Sequence, residues 1–356
     1  MARKRKTLPK DFAEMLTSAS VEELKAVFGK CEIDARGGYA KGTAIGFPEC
    51  PDELIVWLAG QGLAVDTPDS YGRTPLHARA SRAAPKPIAQ IPLLLSLGAD
   101  IEVTDTSGKT PLQAAVGRLR AESARVLIEH GASTEVLDRN GGSLLRSALI
   151  ATQNIDLPEC VEISKLLLER GASVTAETRR HVERIGRDFE FHRGNFNSDL
   201  FRKTDAALSE LYRIFGVEPV ARRSTHDGVS PIVVPDGPWR ERHKALWELL
   251  VPSAGAGATV QCEAIRVTGR ISDEMFRNGG ANWDRDYRAM ADAFPGFLAR
   301  GEPLGEEELQ EAKEIAKQVR SGRGADGHLD RLRELAVVWV AKNPGPIALG
   351  PVDYTR

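Results

Sequence analysis

Three short blocks recur along the chain at nearly one interval, and this period restricts the fold more than any other feature. Gly72-Arg73-Thr74-Pro75-Leu76-His77 aligns with Gly108-Lys109-Thr110-Pro111-Leu112-Gln113, 36 positions on, and then with Gly141-Gly142-Ser143-Leu144-Leu145-Arg146, 33 positions further. A second landmark keeps step: Leu95-Ser96-Leu97-Gly98-Ala99-Asp100, Ile128-Glu129-His130-Gly131-Ala132-Ser133 and Leu168-Glu169-Arg170-Gly171-Ala172-Ser173. A third is the aspartate just before each block, Asp69, Asp105 and Asp138. A period in this range marks stacked supersecondary units, each too small to bury its own apolar face.

Each landmark has a physical role. A threonine followed by proline opens a helix, because the hydroxyl caps free N–H groups and proline tolerates the first turn. The glycines at 98, 131 and 171 follow apolar runs, where a helix ends in a left-handed residue at no steric cost. Aspartate and glycine between units make a tight turn. Each unit reads as helix, turn, helix and projecting finger. These residues resemble the ankyrin repeat, with Thr74-Pro75-Leu76-His77-Ala78 and Ala80 close to its signature and Thr110-Pro111-Leu112-Gln113-Ala114-Ala115 nearly so.

The outer units are more divergent. Lys41-Gly42-Thr43-Ala44-Ile45 takes the block's place one unit earlier, with Trp57-Leu58-Ala59 and Gly62 as its second helix and stop. Ser20-Val21-Glu22-Glu23 is a capping box for a helix ending near Phe28. After Gly171, Leu208, Leu211, Tyr212 and Phe215 follow helical spacing up to Gly216. The pattern predicts an all-α chain: a solenoid of five or six helix pairs over 9–220, followed by a smaller α-helical bundle. Surplus residues at 83–91 and 151–159 are expected to bulge as loops.

From 221 to 237 the pattern lapses into a linker containing Pro231 and Pro235, with Pro238 opening the next segment. Helical spacing resumes without the period over 238–345, and 346–356 reads as a tail. Trp239, Leu246, Trp247 and Leu250 form one helix, stopped by Pro252. Thr259 to Asn278 reads as amphipathic, with Val260, Ala264, Val267, Ile271 and Met275 on one face and Glu263, Arg266, Arg270 and Glu274 opposite. Asn282 is placed to cap a helix from Trp283 to Phe294, before Pro295. Two further helices follow, one from Glu306 to Arg320 and one over about 327–342. The segments Val251-Pro252-Ser253, Thr259-Val260-Gln261 and Asn278-Gly279-Gly280-Ala281-Asn282-Trp283-Asp284, coupled to such an array, resemble uncharacterised bacterial ankyrin proteins. That resemblance implies a bacterial cytosolic setting and no particular activity.

Composition narrows the function classes. Charged residues at 28% and hydrophobic ones at 42% are those of a packed globular chain rather than a disordered one. The formal net charge of −2 argues against a nucleic-acid binder, which normally carries a basic excess. Residues 1–8, with Arg3-Lys4-Arg5-Lys6, are expected to be a disordered basic terminus, the competing reading being a targeting or anionic-surface signal. No apolar run follows that would make a secretory leader, and Leu335 to Ala341 is too short to span a bilayer. Cys31, Cys50, Cys160 and Cys262 are scattered, without metal-ligand spacing, which suits free thiols in a reducing cytoplasm. No cofactor and no metal is expected.

In the ankyrin family, partners dock on finger tips and on the concave face of the first helices. Position by position, the resemblance implies Tyr71, Arg73 and Arg82 in one unit and Lys109, Arg118 and Asn140 in the next. Four of these six are cationic, so the implied partner is a protein with an acidic surface, and neither nucleic acid nor membrane. His77 is expected to be structural, bonding turn backbone. Arg179, Arg180, Arg184 and Arg187 with His181 and His192 form a basic stretch, either an anion contact or ordinary solvated surface. The alternative to a binding protein is an enzyme whose pocket uses Glu263, Arg266, Arg270, Asn282, Trp283 and Asp284, although nucleophile and phosphate-loop motifs are missing and no catalytic residue is assigned. Within a binding role, an immunity-type, regulatory or secreted-effector protein are the open forms. Oligomeric state is not legible.

Overall fold

The computed structural model describes residues 3–196, 198–322 and 326–355. It divides into two compact units, one of Met1–Phe189 with Asn197–Val220, the other of Glu190–Phe196 with Ala221–Arg356.

The first unit opens with a feature that helical periodicity does not disclose. Strand β1 (Arg5–Thr7) pairs in parallel with β2 (Cys31–Gly37), which pairs antiparallel with β3 (Gly42–Thr43), enclosing helices α1 (Phe12–Ser18) and α2 (Val21–Lys30). The Ser20 capping box starts α2 as predicted, Glu23 N–H donating to Ser20 Oγ and Ser20 N–H to Glu23 Oε2 at 2.8 Å. The expectation of a disordered terminus is therefore corrected at residues 5–8. These extend along a sheet edge, with Leu8 buried and Lys4 Nζ donating to the Phe28 carbonyl at 2.7 Å.

The helix pairs follow in order: α3 (Asp52–Gly60), α4 (Pro75–Ala80), α5 (Pro85–Ser96), α6 (Pro111–Val116), α7 (Ala121–Glu129), α8 (Leu144–Ala151), α9 (Leu157–Glu169), α10 (Ala176–His192) and α11 (Ser198–Phe215). α4 packs on α5 and α6, α5 on α7, α6 on α7 and α8, and α7 on α9. Leu76, Ile91, Leu94, Leu112, Leu127, Leu144, Leu149 and Leu167 are sealed between layers. At the far end Arg179 Nε reaches the Phe215 carbonyl at 3.1 Å and Phe189 stacks on Phe201, closing α10 on α11. The block at 41–45 is reduced to a single 3-10 turn, Ala44–Gly46. The surplus residues do not bulge as loops. They lengthen second helices to 12 residues in α5 and 13 in α9, against nine in α7. Cys160, which follows the second surplus segment, is consequently inside α9 and buried.

In the second unit, helices α12 (Trp239–Leu250), α14 (Arg285–Leu298) and α16 (Asp326–Lys342) surround α13 (Val260–Asn278), while α15 (Glu306–Arg320) packs on α14 and α16. Neither flanking segment is free chain. Within the 221–237 stretch Ile232 is in the core and its N–H donates to the Pro344 carbonyl at 2.7 Å. Beyond 345, Thr259 and Ala348 form an antiparallel bridge, and Tyr354 is only 6% exposed. Two helix limits also differ from expectation. Asp284, not Asn282, caps α14, and the helix runs through Pro295 to Leu298. Proline forfeits one backbone bond there, offset by burial of Pro295, Phe297 and Leu298.

Candidate functional site

The repeats position their surface side chains through three nearly identical turns. In the first, Asp69 Oδ1 accepts from the N–H groups of Tyr71 and Arg73; Asp105 does the same for Ser107 and Lys109, and Asp138 for Asn140 and Gly142. Each turn closes through a glycine at positive φ, namely Gly72, Gly108 and Gly141. Gly72 admits no side chain, because a Cβ would lie 2.8 Å from the Thr106 amide. That close approach lets Thr106 donate both N–H and Oγ1 to the Tyr71 carbonyl, at 3.1 and 2.8 Å. Arg139 Nη2 then donates to the Thr106 carbonyl at 2.6 Å, so successive fingers are cross-linked.

His77 is structural, as expected, but it also spans two units. Its Nδ1 accepts from the Thr74 N–H that starts its own helix, and Nε2 meets the Lys109 carbonyl of the next finger at 2.8 Å. Burial lowers its proton affinity, against the opposing pull of that carbonyl. Gln113 repeats the arrangement one unit later, donating to the Leu137 carbonyl.

Five of the six residues carried over from the family line one continuous groove. Arg73, Arg82 and Arg118 surround a cavity of about 680 Å³. Tyr71, Arg73, Lys109 and Arg118 line a neighbouring one of about 450 Å³. Asn140 is exposed at the third finger and lines neither. The carboxylates lining the groove, Asp69 and Asp105, are engaged by turn N–H groups, and Asp69 also holds Arg73 through two bonds of 3.0 and 2.8 Å. Arg82, Arg118 and Lys109 are exposed, and among the described residues no carboxylate pairs with them. Local positive potential is the result.

Two groove residues were not anticipated. Arg120 lines the larger cavity, with Nε near the Ser81 carbonyl. Tyr39 lines it from the β2–β3 hairpin, outside the repeats, and stacks on Tyr71 with ring centroids 6.4 Å apart. A hydrogen bond to Tyr39 raises the Tyr71 phenol above its ordinary value. The available signal was an aromatic directly after paired glycines, Gly37-Gly38-Tyr39, in a short hairpin loop.

The proposed pocket of the second unit does not assemble. Glu263 and Arg266 are fully buried and bind each other through two bonds, Nε to Oε2 at 2.8 Å and Nη2 to Oε1 at 2.7 Å. Burial alone would push the Glu263 carboxyl up, but Arg266, the Gly257 N–H and the Tyr354 hydroxyl hold it below its ordinary value. The polar stripe of α13 thus begins inside the core, with its first two charges paired to each other. Glu274 is also buried, accepting from Asn278 and from both the N–H and the side chain of Asn282, and Arg270 is half-buried. Asn282, Trp283 and Asp284 follow the other end of α13, ~22 Å along the helix from Glu263 at 1.5 Å per residue. There Trp283 Nε1 donates to the Arg320 carbonyl and stacks on Tyr287, while Asp284 caps α14.

The four cysteines are buried free thiols, and burial pushes Cys50 and Cys262 up to about 12 and Cys160 to about 11. Among the described residues no cluster of three histidine, cysteine or carboxylate side chains is arranged to hold a metal, and no helix is long and apolar enough to cross a membrane. The basic stretch of α10 is largely internally engaged: Arg184 pairs with Asp188 and reaches the Leu149 carbonyl, and Arg187 lies 3.9 Å from Glu183.

Comparison with known proteins agrees with this geometry. Residues 80–178 match the family model for ankyrin repeats, three copies. Over 127 residues the chain is 32% identical to an ankyrin repeat protein of fowlpox virus (strain NVSL), a match covering 35% of this chain. It spans only 17% of the viral protein's length. Stacked helix pairs, the finger turns and the family match agree on one assignment for part of the chain: residues 80–178 are ankyrin repeats, and the match does not reach the helical second unit.

Proposed function

We propose that the chain binds a protein partner with an acidic surface, through the groove of its first unit. Ankyrin repeats are a protein-interaction module, and one observation supports the finer reading. Arg82, Lys109 and Arg118 project into a single groove whose carboxylates are already committed to turns. Cations without carboxylate partners of their own attract an acidic surface mainly through encounter rate and orientation. Finger cross-links such as Thr106 to Tyr71 preorganise the surface, reducing the ordering cost of binding. An immunity-type or regulatory role in a bacterial cytosol is the narrower form of this proposal, supported only by likeness of fold.

The test is partner capture from native lysate with Arg82, Lys109 and Arg118 reversed to glutamate. All three are exposed, so folding is expected to be retained and checked by circular dichroism. Capture should fall sharply, and capture by the unaltered chain should weaken as salt is raised. Recovery unchanged by the reversal would discard the groove.

A further inference from the structure

We infer that Tyr39 and Tyr71 form a docking shelf for one aromatic side chain of an acidic protein segment, whose flanking carboxylates reach Arg82 and Arg118. This rests on the groove reading above and adds the partner's local chemistry.

Tyr39 is 92% exposed, the highest value among the exposed large apolar side chains of the described residues. It is nonetheless held in place. The hairpin tip carrying it uses two left-handed residues, Gly38 at φ 68° and Lys41 at φ 51°, the second an uncommon conformation for a side chain of that size. A Cβ on Gly38 would come within 3.1 Å of the Phe47 ring, so the tip is pressed on the turn below it. Ser70 N–H donates to the Ala40 carbonyl at 2.8 Å, and Arg36 Nη1 bridges the carbonyls of Lys41 and Pro68 at 3.1 and 2.6 Å. Local strain retained by surrounding bonds clusters where a surface must be fixed in advance.

The shelf also has a defined electrostatic setting. Arg73, fixed by Asp69, lies over the Tyr71 ring at 4.7 Å from its centroid. Tyr39 and Tyr71 line adjoining cavities that share Arg73, His77, Ser81 and Arg118. Rigid tyrosines beside arginines are the chemistry of interface hot spots, since they contribute large contact area at small entropy cost. An aromatic ring is the complement of an exposed tyrosine face. Carboxylates are the complement of the unpaired guanidinium groups. Single-stranded nucleic acid combines stacking with anionic charge too. The chain's net charge of −2, with acids and bases mixed along it, disfavours a long polyanion.

The test uses the full chain and three fluorescein-labelled probes of about ten units, read by anisotropy. One is a glutamate- and aspartate-rich peptide with a central phenylalanine, the second has alanine there, and the third is oligothymidylate. The phenylalanine peptide should bind about tenfold more tightly than the alanine peptide. Tyr39→Ala should erase that difference while leaving the alanine peptide's affinity unchanged, and Tyr39→Phe should retain it. Arg82→Glu with Arg118→Glu should weaken both peptides. Equal affinity of the two peptides for the unaltered chain, with charge reversal still effective, overturns the shelf and leaves the groove standing. Peptide binding indifferent to charge reversal overturns the groove reading itself. Oligothymidylate binding that exceeds both peptides and is lost in Tyr39→Ala overturns the assignment to a protein segment.

Discussion

The two units handle polar groups in opposite ways. In the repeats, the polar bonds that matter join one unit to the next: His77 to the Lys109 carbonyl and Thr106 to the Tyr71 carbonyl are separated by 32 and 35 residues, about one repeat. In the helical unit they join distant parts of the sequence. Gln261 reaches the Asn343 and Gly345 carbonyls across 82 and 84 residues, and Tyr354 reaches Glu263 across 91. The first pattern builds stability from neighbour terms, so a defect stays near its repeat. The second ties α12, α14 and α16 to one central element, so a defect in α13 should be felt well beyond it. The repeats do carry one buried charge, Arg79, whose Nε donates to Gln90 Oε1. Burial lowers that guanidinium to about 10.

The largest expected effect lies in the second pattern. Glu263→Ala leaves Arg266 buried without its carboxylate, and loss of one partner of a buried pair costs about 3–5 kcal/mol. Chemical denaturation should show the helical unit melting earlier while the repeat transition stays put. Replacing both residues with Leu and Met should recover much of the loss, and failure to recover would mean the pair does more than fill space.

Next is acidity. Burial, with Arg333 nearby, lowers His243 from 6.5 to about 4, and its Nε2 meets Thr268 Oγ1 at 3.1 Å. The unfolded chain takes up a proton below about pH 6.5 that the folded chain refuses until about pH 4. Stability is therefore complete above that window and declines as pH falls through it, by up to about 3 kcal/mol. A denaturation series from pH 7 to 4 on His243→Asn should be flatter than on the unaltered chain. An identical slope in both would assign the acid sensitivity elsewhere.

Tyr354→Phe should come third, removing a bond to a charged acceptor at a cost of about 1.5–3 kcal/mol. Because Tyr354 joins the chain's end to α13, its loss should also raise amide exchange around the Thr259–Ala348 bridge. The smallest effect is assigned to the repeats. Thr110→Ala removes the hydroxyl that caps the Gln113 N–H, at about 1 kcal/mol. Exchange should quicken in α6 and its neighbours and leave α13 unaltered; a global change would blur the contrast between the units.

What could be read from the residue order follows the same division. Thr74-Pro75, Thr110-Pro111 and the glycines at 98, 131 and 171 encode their structure locally, through caps and left-handed stops, so periodicity revealed them. The burial of the α13 charges was not legible, because Glu263, Arg266, Arg270 and Glu274 have the same spacing whether they face water or a core. Only the packing of α12, α14 and α16 around them decides, and that is not a local property. Tyr39 was missed for a related reason, since its hairpin tip is held by bonds from Ser70 to the Ala40 carbonyl and from Arg36 to the Pro68 carbonyl, across 30 and 32 positions. The groove cations were legible because the finger turns place Arg73 and Lys109, and the ends of α4 and α6 place Arg82 and Arg118, all by local geometry. The second-unit pocket failed because one helix separates its two halves.

The stops themselves suggest how such an array tolerates change. Gly62, Gly98, Gly131 and Gly171 all hold φ between 91° and 93°, yet successive intervals are 36, 33 and 40 positions. Punctuation, rather than residue count, is what keeps the stack in phase. Added residues become an extra helical turn in α5 or α9 and leave the next finger where it was. Evolution can thus thicken one layer by insertion ahead of a second helix without disturbing any other, whereas a side chain at one of those four positions would strain the left-handed stop itself, a cost confined to its own layer.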